Sequence, residues 1–161
     1  MVDVNVKLAA FDFDDTIYIH PTHNYSKEDD LTLFSKIIAG DKDVYPEERF
    51  NPNIVSFMKY CYALNIPIAV CSRCSISEEA EYKTNLMRET LGFPVINLCV
   101  GDNAMKPVVL EAYARANRIK KSEILFVDDL WDNLESVERA GFKVASPSEI
   151  AVYKIKTAPT M

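Results

Sequence analysis

The fold is decided by the stretch Val6-Lys7-Leu8-Ala9-Ala10-Phe11-Asp12-Phe13-Asp14-Asp15-Thr16 near the start of the chain. Its apolar part is too short and too continuous for an amphipathic helix and is typical of a strand buried on both faces of a parallel sheet. That strand ends in Asp12 and Asp14. A second apolar run, residues 124–127, ends in the same way in the pair Asp128-Asp129. Carboxylates at the ends of two buried strands predict a site at the edge of a sheet.

Further apolar runs alternate with helical patterns along the rest of the sequence. The other predicted strands cover residues 66–71, 95–100 and 142–145. The predicted helices cover residues 52–64 and 77–91, a segment that begins with Pro107, and residues 131–140 up to Gly141. This alternation predicts an α/β fold, a doubly wound, Rossmann-like open parallel sheet of about five strands with helices on both faces.

The bulk composition limits the size and the partners of the protein. With 161 residues, 48% of them hydrophobic, residues 1–161 are expected to form a single domain around one core. A formal net charge of -6 and a pI near 5.0 give no general basic field, which argues against nucleic acid or an anionic membrane as a partner. Because the sequence shows no secretory leader and no run long enough to span a bilayer, we expect a cytoplasmic protein.

Four cysteines occur in the sequence: Cys61, Cys71, Cys74 and Cys99. Without a secretory signal, reduced thiols are expected. Cys71 and Cys74 form a C-x-x-C, and His20 and His23 form an H-x-x-H, which together offer the ligand types of a zinc site. Neither pair has a second matching pair, and Cys71 ends an apolar run where a small buried side chain fits. We therefore prefer buried thiols over a metal or redox role.

Residues 18–51 exceed what the sheet requires between its first strand and the next helix. They include a predicted short helix over residues 27–39, ended by Gly40, and a polar turn-rich stretch over residues 41–53. Two interpretations remain open: a small lid over the site, or a surface insertion whose apolar side chains pack on the core. Because helix and strand occupy residues 73–105, no large cap domain is predicted and the site is expected to be open.

Side chains at the carboxyl ends of parallel strands meet at one edge of the sheet, where ligands bind in open α/β folds. Asp12, Asp14, Ser72 and the pair Asp128-Asp129 all fall at or just past predicted strand ends. Carboxylates that lie side by side repel one another unless a cation offsets their charge. Oxygen ligands with open water positions suit Mg²⁺ and phosphate substrates. The pattern therefore predicts magnesium-dependent phosphoryl transfer.

The two aspartates after the first strand suit the two chemical roles that hydrolysis of a phosphate monoester requires. Asp12 can ligate magnesium with one carboxylate oxygen and attack phosphorus with the other, which gives an aspartyl-phosphate and splits one difficult step into two. Asp14 can protonate the departing alkoxide and later take a proton from water. Asp12 and Asp14 are therefore the predicted catalytic residues.

Three residues are predicted to bind the phosphoryl group. Ser72 offers a hydroxyl and neighbouring backbone N–H groups, and Arg73 can add a guanidinium. Lys106, at the start of the helix led by Pro107, would place an ammonium against the same group and could also hold Asp12 ionised.

The pair after the second carboxylate-bearing strand is predicted to hold the metal. Asp129 would be the direct ligand, with Asp128 as a water-mediated or outer partner. Asn133 would orient a metal-bound water by a hydrogen bond, whereas Asp132 is expected to face solvent.

These motifs resemble, in the same order along nearly the whole chain, all four motifs of the haloacid dehalogenase-like (HAD) superfamily: Asp12-x-Asp14-x-Thr16, Ser72, Lys106 and Asp128-Asp129-x-x-x-Asn133. The resemblance implies a nucleophile at Asp12, an acid/base at Asp14 and phosphate contacts from Ser72 and Lys106. It also implies that magnesium is held by Asp12, the backbone carbonyl of Asp14, and Asp129.

A closer likeness is to the small capless magnesium-dependent phosphatases of this superfamily. It lies in three segments: Val44-Tyr45-Pro46, Cys71-Ser72-Arg73-Cys74-Ser75 and Phe126-Val127-Asp128-Asp129-Leu130-Trp131-Asp132-Asn133. The resemblance implies a phosphotyrosine-like or phosphosugar substrate, so the expected partner is a phosphorylated small molecule or a phosphoprotein. Asp15 departs from the glycine that is commoner after the acid/base residue. We expect a harmless exposed variant there, the alternative being a side chain that disfavours highly anionic substrates.

Three rival interpretations share some of these residues. A haloacid dehalogenase shares the nucleophile but needs neither leaving-group protonation nor a metal, so Asp14 and Asp129 argue against it. A two-component receiver has similar residues, but its acidic pair precedes the phosphorylated aspartate along the chain, whereas here the pair comes last. The third is a catalytically silent HAD-like binding or regulatory module.

Overall fold

The computed structural model describes residues 3–21 and 27–155. Its strands and helices are, in chain order, β1 (Asp3–Val4), β2 (Leu8–Phe11), α1 (Lys27–Ile38), α2 (Pro52–Ala63), β3 (Ile68–Val70), α3 (Ser77–Leu91), β4 (Ile96–Asn97), α4 (Lys106–Ala116), β5 (Ile124–Val127), α5 (Trp131–Arg139), β6 (Lys143–Ala145) and β7 (Lys154–Ile155). Short 3₁₀ helices occur at Glu47–Arg49, Asn103–Met105, Lys121–Glu123 and Pro147–Val152.

Five of these strands form one sheet in the order β4-β3-β2-β5-β6, with every pair parallel. This confirms the predicted Rossmann-like α/β fold and all of its predicted strands. The chain moves from β2 outward through β3 to β4, and then crosses to β5 on the other side of β2. The strand order therefore reverses beside β2, which is where ligands bind in such sheets. The remaining strands, β1 and β7, form a separate two-stranded parallel pair that the sequence did not predict.

The alternation of side chains along β2 divides the core into two layers. Ala9 and Phe11 belong to one buried cluster, which includes apolar residues of α2 and α3. Leu8 and Ala10 belong to the other, which includes residues of α4 and α5. All four residues of β2 are fully buried, as a strand covered by helices on both faces must be.

The residues at the helix ends provide the hydrogen bonds and backbone conformations that begin and end the helices. The Asn51 side chain accepts a hydrogen bond from the Asn53 N–H (3.1 Å), which caps the start of α2. Helix α3 ends at Gly92, whose φ of 79° is in the left-handed region that favours glycine. Among the described residues, no helix is both long and apolar enough to cross a bilayer.

The register of the central strands brings the functional segments together. Phe11, the last residue of β2, pairs with Val70 at the end of β3 and with Val127 at the end of β5. Because the three strands end level with one another, the residues that follow them emerge side by side at the carboxyl edge of the sheet.

The segment between β2 and α2 contributes helix α1 and the 3₁₀ helix Glu47–Arg49. Helix α1 packs against α3, and its Leu33 and Phe34 side chains line the pocket described below. In the described parts of the chain no folded cap covers the carboxyl edge of the sheet, as predicted. That residues 18–51 act as a lid stays a prediction.

A substitution at Leu110 tests how much the packing of α4 against the sheet stabilises the fold. The Leu110 side chain is fully buried, so Leu110→Ala should leave a cavity and lower the free energy of unfolding by about 2–5 kcal/mol. Val108 of the same helix is half exposed, and Val108→Ala should change the free energy of unfolding by less than about 0.5 kcal/mol. Urea denaturation of both variants measures the difference, and equal losses would contradict this packing.

Candidate active site

Asp12 is the centre of the site and is held by both its backbone and its side chain. Its N–H donates to the Val127 carbonyl (2.9 Å), which continues the pairing of β2 with β5 beyond the strand ends. The carboxylate is buried: Oδ1 accepts a hydrogen bond from Lys106 Nζ (3.1 Å) and Oδ2 accepts one from Thr16 Oγ1 (3.2 Å). The predicted nucleophile therefore has a fixed orientation.

Lys106 joins the two carboxylate-bearing strand ends. Its Nζ donates to Asp12 and also to Asp128 Oδ2 (2.8 Å), and the side chain is almost fully buried. Burial lowers the pKa of Lys106, but the charges of Asp12 and Asp128 outweigh it and hold the pKa above its usual value. Lys106 is therefore a fixed positive charge inside the site.

Asp128 and Asp129 differ in how far their oxygens are already engaged. Asp128 is fully buried, and it accepts hydrogen bonds from the Leu130 N–H at Oδ1 (2.9 Å) and from Asn133 Nδ2 at Oδ2 (3.0 Å), besides the one from Lys106. Asp129 is exposed, and Oδ1 lies 3.3 Å from the Thr16 hydroxyl. The more available of the two is thus the one predicted as the direct metal ligand. Asn133 donates to Asp128, and its predicted role in orienting a metal-bound water stays a prediction.

The carboxylates of Asp12, Asp128 and Asp129 form a group that fits a divalent cation. One oxygen from each lies within 4.8 Å of the others, and no other such acidic, histidine or cysteine group occurs among the described residues. Burial raises the pKa of Asp12 well above its usual value; Lys106 opposes this and the neighbouring carboxylates add to it. Burial, together with the charge of Asp128, raises the pKa of Asp129 to about 6. One lysine therefore does not neutralise three carboxylates, and the oxygen ligands suit Mg²⁺.

Ser72 comes just after β3, on the side of Asp12 opposite to the Asp128-Asp129 pair. The loop is fixed because the Val100 N–H donates to the Ser72 carbonyl (2.9 Å) and the Cys74 N–H donates to the Val100 carbonyl (2.8 Å). The Ser72 hydroxyl is buried and has no hydrogen-bond partner among the described residues. An unpaired buried hydroxyl is costly, so this one is expected to bind a ligand atom. Arg73 is exposed and lines the same pocket.

The Asp14 carboxylate contacts a lysine and a histidine. Oδ2 accepts a hydrogen bond from Lys83 Nζ (2.8 Å), and Oδ1 lies 2.7 Å from His20 Nε2. Burial raises the pKa of Asp14, but Lys83 and His20 outweigh it and hold the pKa well below its usual range. The predicted acid/base is therefore a carboxylate anion in this structure, which can accept a proton.

One pocket joins these residues. Its polar wall contains the predicted catalytic and phosphate-binding side chains together with Asp129 and Asn133, and its outer wall contains the apolar side chains of Leu33, Phe34 and Leu130. The structure thus brings every predicted site residue to one place except the buried Asp128, which supports Lys106 and Asn133 from behind.

Sequence reasoning missed the contacts that three residues, Thr16, Lys83 and Glu79, make at the site. Thr16 was recognised only as part of a motif, yet its hydroxyl contacts both Asp12 and Asp129. Lys83 and Glu79 are four residues apart in α3, a spacing that usually indicates an exposed ion pair, and both are buried. Only the fold places them beside Asp14.

Asp15 has a structural explanation. Its φ of 59° lies in the left-handed region, which favours glycine but which aspartate adopts more readily than most residues. Its carboxylate accepts a hydrogen bond from the His20 N–H (3.0 Å). The expected exposed variant is thus a half-buried turn residue.

The histidines and cysteines that could form a zinc site do not converge among the described residues. His20 contacts Asp14, and Cys71 is buried in the α4–α5 layer with a pKa that burial raises. His23 lies outside the described residues. All four cysteines are free thiols, as predicted.

No family model and no curated protein matches the chain at the sequence level. Solved structures with a similar fold do exist. A candidate HAD-like phosphatase from Mesorhizobium loti matches 88% of this chain and 71% of its own, with a TM-score of 0.56 and 17% identity. A dehalogenase with an intermediate complex matches 99% of this chain and 95% of its own, with a TM-score of 0.55 and 13% identity.

A hypothetical protein from Xanthomonas campestris matches 89% of this chain at 19% identity with a TM-score of 0.53, and this chain spans 64% of its length. HAD-superfamily hydrolases are also among the matched structures. The chain therefore has the HAD-like fold, as the sequence predicted. Because the identities are this low, the activity has to be inferred from the site.

Magnesium should stabilise the protein in a way that depends on Asp129. At pH 7.5 and a magnesium concentration about a hundred times the dissociation constant, binding adds about 2.7 kcal/mol to the free energy of unfolding, a rise in Tm of ~5–10 °C for a chain of this size. Differential scanning fluorimetry measures it. Asp129→Asn should abolish the rise, whereas Asp132→Asn, which removes an exposed neighbouring carboxylate, should keep it.

The Tm of the metal-free protein should depend on pH. Because the folded pKa of Asp129, about 6, is above its usual value of 3.8, the folded state binds more protons than the unfolded state between these values. The ionised Asp129 therefore destabilises the fold above pH 6. Because protonation removes this effect, Tm should rise as the pH falls from 7.5 towards 5. The rise in Tm on adding magnesium should shrink over the same range. A magnesium effect that is independent of pH would contradict this assignment.

Proposed function

We propose that this chain, which has the HAD-like fold, is a magnesium-dependent phosphatase that hydrolyses phosphate monoesters through an aspartyl-phosphate on Asp12. The observation that carries the proposal is that the Asp12 carboxylate contacts a buried ammonium, Lys106, and lines the same pocket as the unpaired hydroxyl of Ser72. A carboxylate that shares a pocket with a fixed cation and an unused donor suits attack on a group whose oxygens carry negative charge.

In the first half of the reaction, a carboxylate oxygen of Asp12 forms a bond to phosphorus while the bond from phosphorus to the leaving oxygen breaks. Asp14 gives its proton to that oxygen, so the product leaves as an alcohol. Since Asp14 is anionic in this structure, it must first take up a proton. The negative phosphoryl oxygens favour this uptake because a nearby like charge raises the pKa of a carboxyl group.

In the second half, water attacks phosphorus and the bond to Asp12 breaks, which releases inorganic phosphate and restores the Asp12 carboxylate. The carboxylate form of Asp14 takes the proton from the attacking water. Ser72, Lys106 and the exposed Arg73 would hold the phosphoryl oxygens through both halves.

The residues that would hold magnesium are Asp12, Asp129 and the backbone carbonyl of Asp14, with Asp128 as outer support. When bound, the ion would neutralise charge on the phosphoryl oxygens and on the two carboxylates. This assignment is supported by the free acceptor capacity of Asp129 and by the three hydrogen bonds that already occupy Asp128.

Two alternatives use the same fold. A dehalogenase would need no acid/base beside the nucleophile, and Asp14 in the pocket favours the phosphatase. A silent binding module would explain the same residues as a phosphate or metal site without turnover. Activity separates it from the phosphatase.

The substrate is proposed to be a phosphorylated small molecule or a phosphoprotein. The apolar outer wall of the pocket, from α1 and Leu130, suits the organic part of an ester next to the polar floor. An open site of this kind admits both small and bulky esters.

Asp12→Asn should abolish turnover. With magnesium and p-nitrophenyl phosphate, the variant should lose at least ~10³-fold in kcat, because the amide cannot form the covalent intermediate. Release of p-nitrophenolate measures this loss, and Asp132→Asn is the matched control that should retain wild-type activity. If wild type and Asp12→Asn do not differ on several phosphate esters, the chain is a binding module.

A further inference from the structure

The least expected group at the site is Lys83, which none of the four motifs contains. Its ammonium is almost fully buried, 2.8 Å from Asp14 Oδ2 and 2.7 Å from Glu79 Oε2. It also lies 5.1 Å from the centre of the Phe13 ring and 5.9 Å from that of Tyr45. Lys83 is therefore enclosed by aromatic rings on one side and by carboxylates on the other.

Burying an ammonium costs several kcal/mol unless its charge is paired and its donors are used. Glu79, one helical turn away in α3, already provides one carboxylate. The second comes from Asp14, in a different element. A pair that only anchored α3 would not need to reach the pocket, and it would not need the one carboxylate that the proposed reaction requires to transfer protons.

Glu79 connects Lys83 to the loop after β3, the phosphate-binding loop, which carries the proposed phosphate-binding residues Ser72 and Arg73. Its Oε1 accepts a hydrogen bond from the Ser75 N–H (2.9 Å), while its Oε2 accepts one from Lys83. A continuous series of contacts thus runs from the loop after β3, through Glu79 and Lys83, to Asp14 after β2. The distance between the phosphate-binding loop and the Asp14 carboxylate is set by these contacts.

We propose that Lys83, held by Glu79, is a positioning residue that fixes the Asp14 carboxylate at the leaving-group side of the pocket. This inference rests on the proposed phosphatase function. A carboxylate oxygen has two lone pairs, so the bond from Lys83 fixes the orientation of Asp14 and still leaves it able to reach a substrate atom. Without that bond only the contact of Oδ1 with His20 would restrain the Asp14 carboxylate, and proton transfer depends on alignment within hydrogen-bond distance.

The test compares two aryl esters of similar shape that differ in their need for an acid. p-Nitrophenolate departs as a stable anion, whereas phenolate departs faster when it is protonated. Because kcat/KM includes only the steps up to departure of the first product, the ratio of kcat/KM for phenyl phosphate to that for p-nitrophenyl phosphate measures how well the acid works.

Lys83→Met should lower this ratio by ~10-fold, part of the ~10²–10⁴-fold that a positioned acid contributes. Lys83→Arg, which retains the charge with different geometry, should restore part of it. Asp14→Asn should lower the ratio further, and Lys83→Met in that background should lower it no more, since the two residues act as a unit. Lys121→Met is the matched control: Lys121 also contacts an aromatic ring, Phe142, but lies outside the pocket, so the ratio should not change.

Other outcomes overturn the proposal in distinguishable ways. An equal loss on both esters means that Lys83 only stabilises the fold. A ratio that rises means that the charge of Lys83 suppresses the acid instead of positioning it. Wild type without magnesium-dependent activity refutes the phosphatase function, and the role of Lys83 with it.

Circular dichroism and Tm show whether each variant folds. If Lys83→Met does not fold, Lys83→Arg and Glu79→Gln test the proposal in its place, because both variants keep a cation at position 83. Each should then lower the ratio below that of wild type, and a ratio unchanged in both overturns the proposal.

Discussion

The parallel register at Phe11 determines where the side chains of the site meet. Phe11 pairs with Val70 on one side and Val127 on the other, so the chain leaves all three strands at the same level. This places the Asp12 and Asp128 carboxylates on either side of a single lysine. A shift of the register by one residue would turn the side chains of β2 to opposite faces and would separate these groups.

The charges explain why the site needs more than its own side chains. Lys106 is shared between Asp12 and Asp128, while Asp129 remains exposed beside them. Burial raises the pKa values of Asp12 and Asp129, and this excess negative charge adds to the effect. A divalent cation would remove the repulsion, which is why the same residues that destabilise the metal-free protein are expected to make its stability respond to magnesium.

Most of the fold and most of the site could be predicted because both follow from local patterns. Continuous apolar runs give buried strands, and residues such as Asp12 and Asp128 come directly after them. What could not be predicted depends on distant contacts. The Glu79–Lys83 pair has the spacing of an exposed ion pair and is buried only because Phe13, Tyr45 and Asp14 close over it. The pairing of β1 with β7 involves two residues on each strand, too few for a pattern. The positive φ of Asp15 and the contact of Asn133 with Asp128 likewise follow from tertiary geometry.

The two aspartates at the end of β2 have opposite electrostatics although only one residue separates them. Burial raises the pKa of Asp12, whereas Lys83 and His20 lower that of Asp14. Under the proposed function this is the reverse of what the first step requires, which is an ionised nucleophile and a protonated acid. A cation beside Asp12 would lower the pKa of Asp12, and a phosphoryl group beside Asp14 would raise the pKa of Asp14. Under the proposed function, the metal and the substrate would therefore each favour the protonation state that the first step requires.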